Sequence, residues 1–314
     1  MKLNEILKIK YPIIQGGMAH ISDGKFAAKV SNIGALGVIG SGGMNPQELR
    51  KEIQICKELT DKPFGVNLML LNPWADEMAK LIVEENVPIV TTGAGSPAKY
   101  LKMWHKNNIK VFPVVSSPIM ALRMEKQGVD GIIAEGNEAG GHIGEMTSMT
   151  LILQVKNKIK IPIIAAGGIA SGKQILAAKI LGAVGVQIGT LFLLSKECPI
   201  NDIYKNLLLK SKDNNITVVG RIGGVPMRLI KNQMARTYIA GEKEGIDKME
   251  LEKHTLGALK LAVNDGDLIE GSFKAGLTVG QIEEIRTLEE ILKDLMGEYN
   301  DELENIYYEY KNRK

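Results

Sequence analysis

The most reactive side chains of this sequence stand in one glycine-rich segment, EGNEAGGHIGE, which spans Glu135–Glu145. The segment combines carboxylates with one imidazole, His142, and four glycines. An imidazole titrates near neutral pH, so His142 could act as a general acid or base or donate a hydrogen bond to a carbonyl group. A lone histidine is more often structural, but glycines on both sides of this one favour close contact with a ligand. We therefore predict that His142 is catalytic.

Two further turns have the composition of a phosphate site. AAGGIASGK contains Gly167 and Gly168, and QIGT contains Gly189 and Thr190. Glycine amides near the start of a helix can donate hydrogen bonds to a phosphate, and the threonine adds a hydroxyl group. Tight turns without a ligand would have a similar sequence, but two neighbouring loops with the same chemistry favour the phosphate. Lys173 is interpreted as a solvated helix lysine.

Other polar residues have weaker signals. Asn67 ends the run FGVN and offers both a donor and an acceptor, although an Asx turn would use the same residue. His20 follows QGGM and is a further candidate to line the pocket, whereas His105 and His254 are predicted to lie on helix surfaces.

Several functional classes lose support because their motifs are absent from the sequence. There is no HxH, HExxH or CxxC spacing, so no metal site is expected. A GxGxxG after the first strand, GxxxxGK[ST] and GxSxG are also absent, which disfavours Rossmann, P-loop and hydrolase interpretations. Cys56 and Cys198 are far apart in the chain, so we expect free thiols and a reducing cytoplasm.

The elements that must position these residues recur along the first part of the chain. Eight short β-rich runs without strict alternation predict parallel strands that are buried on both faces. They are Tyr11–Gly17, Ala35–Gly43, Lys62–Leu70, Val87–Gly95, Lys110–Ser117, Asp130–Gly136, Ile161–Gly168 and Gly185–Leu194. Segments of helical period lie between them, namely Pro46–Leu59, Trp74–Asn86, Pro118–Gln127 and Gly172–Leu181.

This alternation predicts an α/β fold, a (β/α)8 TIM barrel, with an open doubly wound sheet as the alternative. The glycines cluster at the carboxyl ends of the strands, which is the face of a barrel that carries active sites. We assign residues 1–194 to the barrel and 195–314 to a mainly helical accessory region packed on it. In that region Tyr204–Ser211 and Met249–Val263 are predicted helices, with KNQMARTYIAGEKEGIDK as a polar connection between them. The tail Leu288–Lys311 is predicted to be helical with a break near Gly297.

The overall composition is that of an ordinary globular protein. The chain has 314 residues, 45% of them hydrophobic, with 39 Lys and Arg against 36 Asp and Glu. The resulting net charge of +3 does not indicate nucleic acid as a partner. The first residues lack the apolar stretch of a signal peptide, and no run approaches the length of a membrane span. We expect a cytoplasmic protein without a membrane partner.

Five segments resemble those of the nitronate monooxygenase superfamily, a group of FMN-dependent barrels. They are QGGM at 15–18, KPFGVN at 62–67, AEGNEAGGHIG at 134–144, AAGGIASG at 165–172 and QIGT at 187–190. Within the superfamily the chain is most similar to the bacterial enoyl-acyl-carrier-protein reductase II branch. The segments GSGGMNP, TDKPFGVN, VTTGAGSP, AEGNEAGGHIG and RLIKNQM look like those of that branch, in the same order. The resemblance covers nearly the whole chain.

The resemblance implies an FMN site and a role for each matching residue. The residues implied around the flavin ring are Gly16, Gly17, Met18 and Asn67, with Glu135 nearby. Those implied toward the ribityl phosphate are Gly141, Gly168, Gln187, Gly189 and Thr190, to which the glycine pattern adds Gly167. His142 is the implied catalytic or substrate-orienting residue. Leu191 stands where the family often has arginine, so a phosphate or salt-bridge role of that arginine does not carry over.

The activity implied by the resemblance is reduction of a trans-2-enoyl thioester on acyl carrier protein or coenzyme A, as in bacterial fatty acid synthesis. NADH or NADPH would reduce FMN, and a monovalent cation could be required. Met18, Met44 and Met146 would line an acyl channel or else belong to the core. Alternatives are a nitronate monooxygenase on the same barrel and an FMN-binding protein without turnover. A homodimer is expected.

Overall fold

The computed structural model describes residues 2–223 and 225–312. The strands in these residues are β1 (Ile13–Gln15), β2 (Gly37–Gly40), β3 (Phe64–Met69), β4 (Ile89–Gly93), β5 (Lys110–Val115), β6 (Ile132–Glu135), β7 (Gly141–His142), β8 (Ile163–Ala166), β9 (Gly185–Ile188), β10 (Ile216–Val219) and β11 (Met227–Ile230). The helices are α1 (Leu3–Leu7), α2 (Gly24–Asn32), α3 (Pro46–Leu59), α4 (Ala75–Glu84), α5 (Ala98–Lys106), α6 (Pro118–Gln127), α7 (Ser148–Lys156), α8 (Gly172–Ile180), α9 (Thr190–Leu193), α10 (Asp202–Lys210), α11 (Gln233–Glu244), α12 (Lys248–Lys253), α13 (Ala258–Asn264) and α14 (Leu288–Asn312). Short 3-10 helices span Asp213–Asn215 and Leu277–Gln281.

Eight parallel strands form a barrel in the order β1-β9-β8-β6-β5-β4-β3-β2. The ring closes between β1 and the chain before β2, where Ile14 pairs with Leu36 in parallel. The amide of Gln15 donates to the carbonyl of Leu36 at 2.8 Å, and the amide of Leu36 donates to Ile13 at 2.9 Å. The predicted (β/α)8 TIM barrel is therefore confirmed, and the open-sheet alternative is wrong.

The barrel interior is filled by apolar side chains from alternating strand positions. Ile14, Val38, Phe112 and Ile164 lie in one buried cluster there. Helix α1 contributes two buried leucines to the same cluster and covers the amino ends of the strands. The opposite end, at the carboxyl ends of the strands, is left open for a cavity.

The outer helices form where the sequence patterns predicted them. Helix α3 begins at Pro46, and its N-cap Asn45 forms a capping box with Glu48. Its predicted apolar stripe is buried, with Leu49 and Cys56 among the contacts of the outer core. Helix α6 ends at Gly128, whose φ of 88° is a left-handed conformation that glycine adopts without strain.

The last predicted strand is too long. The prediction over Gly185–Leu194 is wrong beyond Ile188, because the chain turns at Gly189 and forms the short helix α9. Leu191, in that helix, is buried in the core that joins the barrel to the C-terminal residues. The apolar side chains of α9 therefore reflect burial in this core and not strand structure.

The accessory region contains a small sheet in addition to its helices. Strands β10 and β11 form an antiparallel hairpin, and β11 pairs antiparallel with β7 of the barrel loops. Sequence patterns did not predict this sheet, because β7 has only two residues and its partner is far along the chain. The division at residue 194 stays a prediction, although one core cluster contains residues from both sides of it.

The predicted polar connection in the accessory region is wrong, because most of it is helix α11. Asn232 caps the helix by accepting a hydrogen bond from the amide of Ala235 at 3.0 Å, and Gly245 ends it at a φ of 77°. Met234 and Tyr238, one turn apart, are buried against the small sheet. Arg236, Lys243 and Glu244 are exposed, and Glu242 is buried beside the apolar stripe. These charged residues hide the stripe in the sequence.

Two other predicted helix boundaries in this region are wrong. Met249–Val263 is two helices, α12 and α13, and the backbone between them turns at Gly257 with a φ of 76°. Helix α14 runs unbroken through Gly297. A glycine costs about 1 kcal/mol in a helix interior, and the buried face that includes Ile291 and Leu295 offsets it.

Within the described part of the chain, no helix is long and apolar enough to cross a membrane.

Candidate active site

A cavity of about 590 Å³ lies at the carboxyl ends of the barrel strands. Its volume is within the range of small-molecule and cofactor sites. The walls include every residue predicted from sequence to be catalytic or to bind the cofactor. These are Gly16, Gly17, Met18, Asn67, Glu135, Gly141, His142, Gly167, Gly168, Gln187, Gly189 and Thr190. The structure brings these residues together, and their individual binding roles stay predictions.

The loop after β1 forms one wall and is held by buried polar side chains. The Ser22 hydroxyl donates to the carbonyl of Gly16 at 3.1 Å and accepts from the amide of Met18 at 3.1 Å. The Asn67 amide group donates to the carbonyl of Gly17 at 3.3 Å. A Cβ at Gly17 would lie 2.3 Å from the Cβ of Asn67, so only glycine fits there. Asn67 thus fixes this wall, which the sequence alone could not show.

A corner of the cavity is built from backbone amides. Gly167 and Gly168 follow β8 with φ of 86° and 77°, and Gly189 follows the neighbouring β9. Among the described residues, none accepts a hydrogen bond from these three amides. A Cβ at Gly189 would meet only the Met18 sulfur, at 3.8 Å, so the glycine leaves open space. Free amides converging on open space are the arrangement that binds a phosphate.

The hydroxyl of Thr190 joins this corner to the accessory region. Its oxygen accepts a hydrogen bond from the amide of Gly276 at 2.9 Å, which leaves its proton free to donate. Close by, the Ser148 hydroxyl donates to the carbonyl of Gly167 at 2.8 Å. Ser148 also donates through its amide to the carboxylate of Glu138, at 3.0 and 2.9 Å. These bonds hold the corner rigid.

His142 lines the cavity from β7. It pairs with Met227 of β11, and Gly141 pairs with Arg228. His142 lines the cavity and is partly exposed to solvent. Desolvation and the charge of Lys274 both lower the pKa of His142, which favours the neutral imidazole at pH 7. A neutral imidazole can donate one hydrogen bond and accept another.

The buried guanidinium of Arg228 holds the His142 loop, and the sequence interpretation gave it no role. Its Nε and Nη2 donate to the carbonyl of Asn137 at 3.2 and 3.0 Å, and Nη2 also donates to the Asn137 side chain at 2.9 Å. Asn137 in turn donates to the carbonyl of Gly144 at 2.9 Å. Arg228 is the first residue of the RLIKNQM segment, whose only signal in the sequence is its resemblance to the family. A pattern of this kind gives no sign that its arginine spans 91 residues to a barrel loop.

Glu135 ends β6 at the wall of the cavity. Burial raises the pKa of its carboxyl group to about 7. A group with this pKa can hold or release a proton near neutral pH. The sequence interpretation placed Glu135 near the cofactor, and the structure adds that it is a candidate for proton exchange.

The other sequence candidates have mixed outcomes. Met18 lines the cavity, but Met44 and Met146 pack against the outer core, so they form no channel wall here. Met69 and Met120 line the cavity instead. Sequence patterns could not separate these methionines, since Met69 ends β3 and the others come after a strand.

The structure also locates the three other histidines and Lys173. His20 has a φ of 61° and packs against Gly43, and it is not among the cavity-lining residues. His105 contacts Asp130 at 3.1 Å on the surface, and His254 is exposed. Lys173 is exposed and pairs with Glu302 at 2.9 Å. These residues therefore lie outside the cavity wall.

Within residues 2–223 and 225–312, no group of three or more His, Cys, Asp or Glu side chains is placed to hold a metal ion. Cys56 and Cys198 are buried free thiols, and burial raises the pKa of each to about 12. Such thiols are unreactive at neutral pH.

Comparison with known proteins gives consistent relatives. A family model described as nitronate monooxygenase matches residues 1–85 and 73–298. A probable nitronate monooxygenase of Staphylococcus saprophyticus subsp. saprophyticus is 32% identical to this chain, over 85% of this chain and 88% of that protein. The structure of FabK from Thermotoga maritima matches with a TM-score of 0.94 and 43% identity, over 97% of both chains. A nitroalkane oxidase from Streptomyces ansochromogenes has a TM-score of 0.85 at 24% identity, over 97% of this chain and 99% of that one, a likeness of fold alone.

Proposed function

Because the chain belongs to the nitronate monooxygenase family, a family of flavin-dependent oxidoreductases, we propose that it is an FMN-dependent enoyl-acyl-carrier-protein reductase. The observation that carries the proposal is the match to FabK, at 43% identity over 97% of both chains. FabK is the enoyl-acyl-carrier-protein reductase II of the branch that the sequence resembles. The substrate would be a trans-2-enoyl thioester on acyl carrier protein or coenzyme A, and the reductant NADH or NADPH.

The residues present fit an FMN group. The free amides of Gly167, Gly168 and Gly189 would hold its phosphate, with the Thr190 hydroxyl beside them. The loop of Gly16 and its neighbours, together with Asn67 and Gln187, would surround the rest of the cofactor. When bound, FMN supplies the hydride chemistry that no side chain of this protein can perform.

The chain's own residues would bind and polarise the thioester. The neutral imidazole of His142 would donate a hydrogen bond to the thioester carbonyl or assist protonation at the α-carbon. The walls formed by Met69 and Met120 would cover the acyl chain. Glu135, with a pKa of about 7, would exchange a proton with the reaction centre. A monovalent cation and a homodimer are also part of the proposal, on the strength of the resemblance.

The proposal is tested by an anaerobic titration of the flavin spectrum. NADH or NADPH should bleach the bound flavin, and crotonyl thioester should then restore its colour. Steady NADH oxidation that depends on the thioester is the expected turnover. Restoration of colour only by oxygen would contradict the reductase.

The second candidate is nitronate monooxygenation, which the names of the family model and of the curated relative favour. In that reaction His142 would be the base and oxygen the oxidant. Turnover of a nitronate without NADH, with no thioester-dependent NADH oxidation, would replace the reductase by this activity. Bound flavin that neither reagent changes would indicate a binding protein without turnover.

A further inference from the structure

Lys274 is a mostly buried lysine in the wall of the cavity that the sequence interpretation did not single out. Its backbone lies beside β11, where Lys274 forms an isolated antiparallel bridge with Leu229. Its carbonyl accepts a hydrogen bond from the buried Tyr204 hydroxyl at 2.8 Å, which anchors the backbone. Its stem passes Gly141, where an added Cβ would lie 3.7 Å from the lysine Cδ. The side chain therefore lies next to the strand that carries His142.

Lys274 adds positive charge beside two histidines, and burial lowers the pKa of its own ammonium group. Its charge lowers the pKa of both His142 and His20, and Lys260 acts on His20 in the same direction. Glu252 raises the pKa of His142 and Glu48 raises that of His20, but each carboxylate is the weakest influence on its histidine. In the described part of the chain, no carboxylate forms an ion pair with Lys274.

A buried ammonium group without an anion is unfavourable, because it loses hydration and gains no opposite charge. A negatively charged ligand that enters the cavity would give such a lysine the opposite charge that it lacks. The free amides of Gly167, Gly168 and Gly189 already offer hydrogen-bond donors to the cofactor phosphate. Lys274 instead lies beside His142, where a substrate would react.

We propose that Lys274 is the oxyanion-binding residue of this cavity, which holds the delocalised negative oxygen that the substrate carries or develops. The proposal rests on the proposed function for its reductase form. When hydride reaches the β-carbon of an enoyl thioester, the electron pair of the C=C bond moves toward the carbonyl oxygen. One proton then reaches the α-carbon, and the reductant is NADH or NADPH. A nitronate carries the same kind of delocalised oxygen charge before any reaction.

Binding of nitrate, a planar oxyanion, to the FMN-loaded protein tests the site without turnover. Nitrate is titrated at constant ionic strength while the flavin absorbance is recorded. We expect saturable binding by the wild type that weakens about tenfold or more in Lys274→Met, as for loss of a charged hydrogen bond. Lys274→Arg should keep most of the affinity because it keeps the charge. Lys260→Met removes an exposed lysine of the same face and should bind nitrate like the wild type.

Lys274→Gln is a second neutral variant if the methionine variant loses its flavin. Equal nitrate affinity in the wild type and in either neutral variant would overturn the proposal, as would a wild type that does not bind nitrate. Inorganic phosphate is titrated in parallel. If phosphate binding depends on Lys274 and nitrate binding does not, the lysine is a phosphate site and the proposal is wrong.

Kinetics then separate the two sources of the oxyanion. With crotonyl thioester the charge develops during reaction, so Lys274→Met should lower kcat more than it raises KM. With a nitronate the charge is present in the bound substrate, so the same variant should mainly raise KM. Nitrate binding that depends on Lys274 supports the oxyanion site even if the thioester is not turned over, so failure of the reductase proposal remains distinguishable.

Discussion

Two regions of the cavity wall are built differently: the backbone end consists of backbone amides of the barrel, and the side-chain end of side chains that the accessory region holds in place. At the first end Gly167, Gly168 and Gly189 present free N–H groups. At the second, His142 lies on β7, which pairs with β11, and hydrogen bonds from Arg228 hold its loop. The backbone end needs particular φ angles and open space, whereas the side-chain end needs particular functional groups. Substitutions at the two ends should therefore fail in different ways.

The largest effect is expected at the side-chain end. His142→Ala should lower thioester-dependent turnover about a hundredfold or more, because it removes the hydrogen-bond donor and proton-transfer group. The flavin content should stay at the wild-type level, since the substitution leaves the free amides of Gly167, Gly168 and Gly189 in place. Steady-state kinetics and the flavin-to-protein absorbance ratio measure both quantities. Unchanged turnover would remove His142 from the mechanism.

At the backbone end, Gly167→Ala should lower flavin affinity about tenfold or more. Its φ of 86° costs an alanine about 1–2 kcal/mol, and the new Cβ would lie 2.8 Å from the carbonyl oxygen of Gly136. The loop must then shift, and its amides leave their positions. Flavin titration of the apoprotein measures the affinity.

Gly128→Ala is the matched control for that substitution. Gly128 has a φ of 88°, but no atom lies within 4 Å of its added Cβ, and it ends a helix outside the cavity. It should lose similar stability and keep full flavin affinity. Equal flavin loss in both variants would mean that backbone strain alone, and not the amide corner, explains the effect.

Arg228→Met should lower kcat about tenfold while the flavin content is kept. The buried carbonyl of Asn137 loses its donors, and the loop that carries His142 loosens, so the imidazole is less well placed. The free energy of unfolding should fall by about 1–3 kcal/mol. Urea unfolding and steady-state kinetics check the two changes. A variant that loses stability but keeps kcat and its pH profile would show that Arg228 has only a structural role.

The smallest effect concerns pH and Glu135, which also lines the cavity. Its pKa in the folded protein is about 7, above the ordinary value of 4.5. Between these two pH values the folded state binds more protons than the unfolded state, so stability falls as pH rises through this window. Glu135→Gln should reduce this loss by roughly 1–2 kcal/mol between pH 5 and pH 8. Urea unfolding at both pH values measures the free energy of unfolding. The same change in this free energy between pH 5 and pH 8 for wild type and variant would refute the shifted pKa.

The sequence predicted the barrel well because its strands and helices have local signatures. The buried runs that end in glycine and the apolar stripe of Pro46–Leu59 are each visible within about fifteen residues. The accessory region was predicted less well, for two reasons. Helix α11 hides its apolar stripe among charges, and Gly297 is tolerated in α14 because packing, and not propensity, stabilises that helix.

The candidate site shows the same division. Glycine at the strand ends predicted which backbone lines the cavity, because the carboxyl ends of parallel strands must meet at one face of a closed barrel. Arg228 and Lys274 gave no such signal. An arginine 91 residues from its acceptor and a lysine in an apolar segment look like any other basic residue in the sequence.

By itself, the sequence determined the order of strands and helices in the barrel, the glycine-rich face and the family resemblance, since each is written in short stretches of chain. Only the tertiary structure decided that β11 pairs with the strand of His142, that Asn67 supports Gly17, and that Lys274 lies beside that strand. These contacts join residues far apart in the chain. Their energies depend on burial and distance, which no local pattern records.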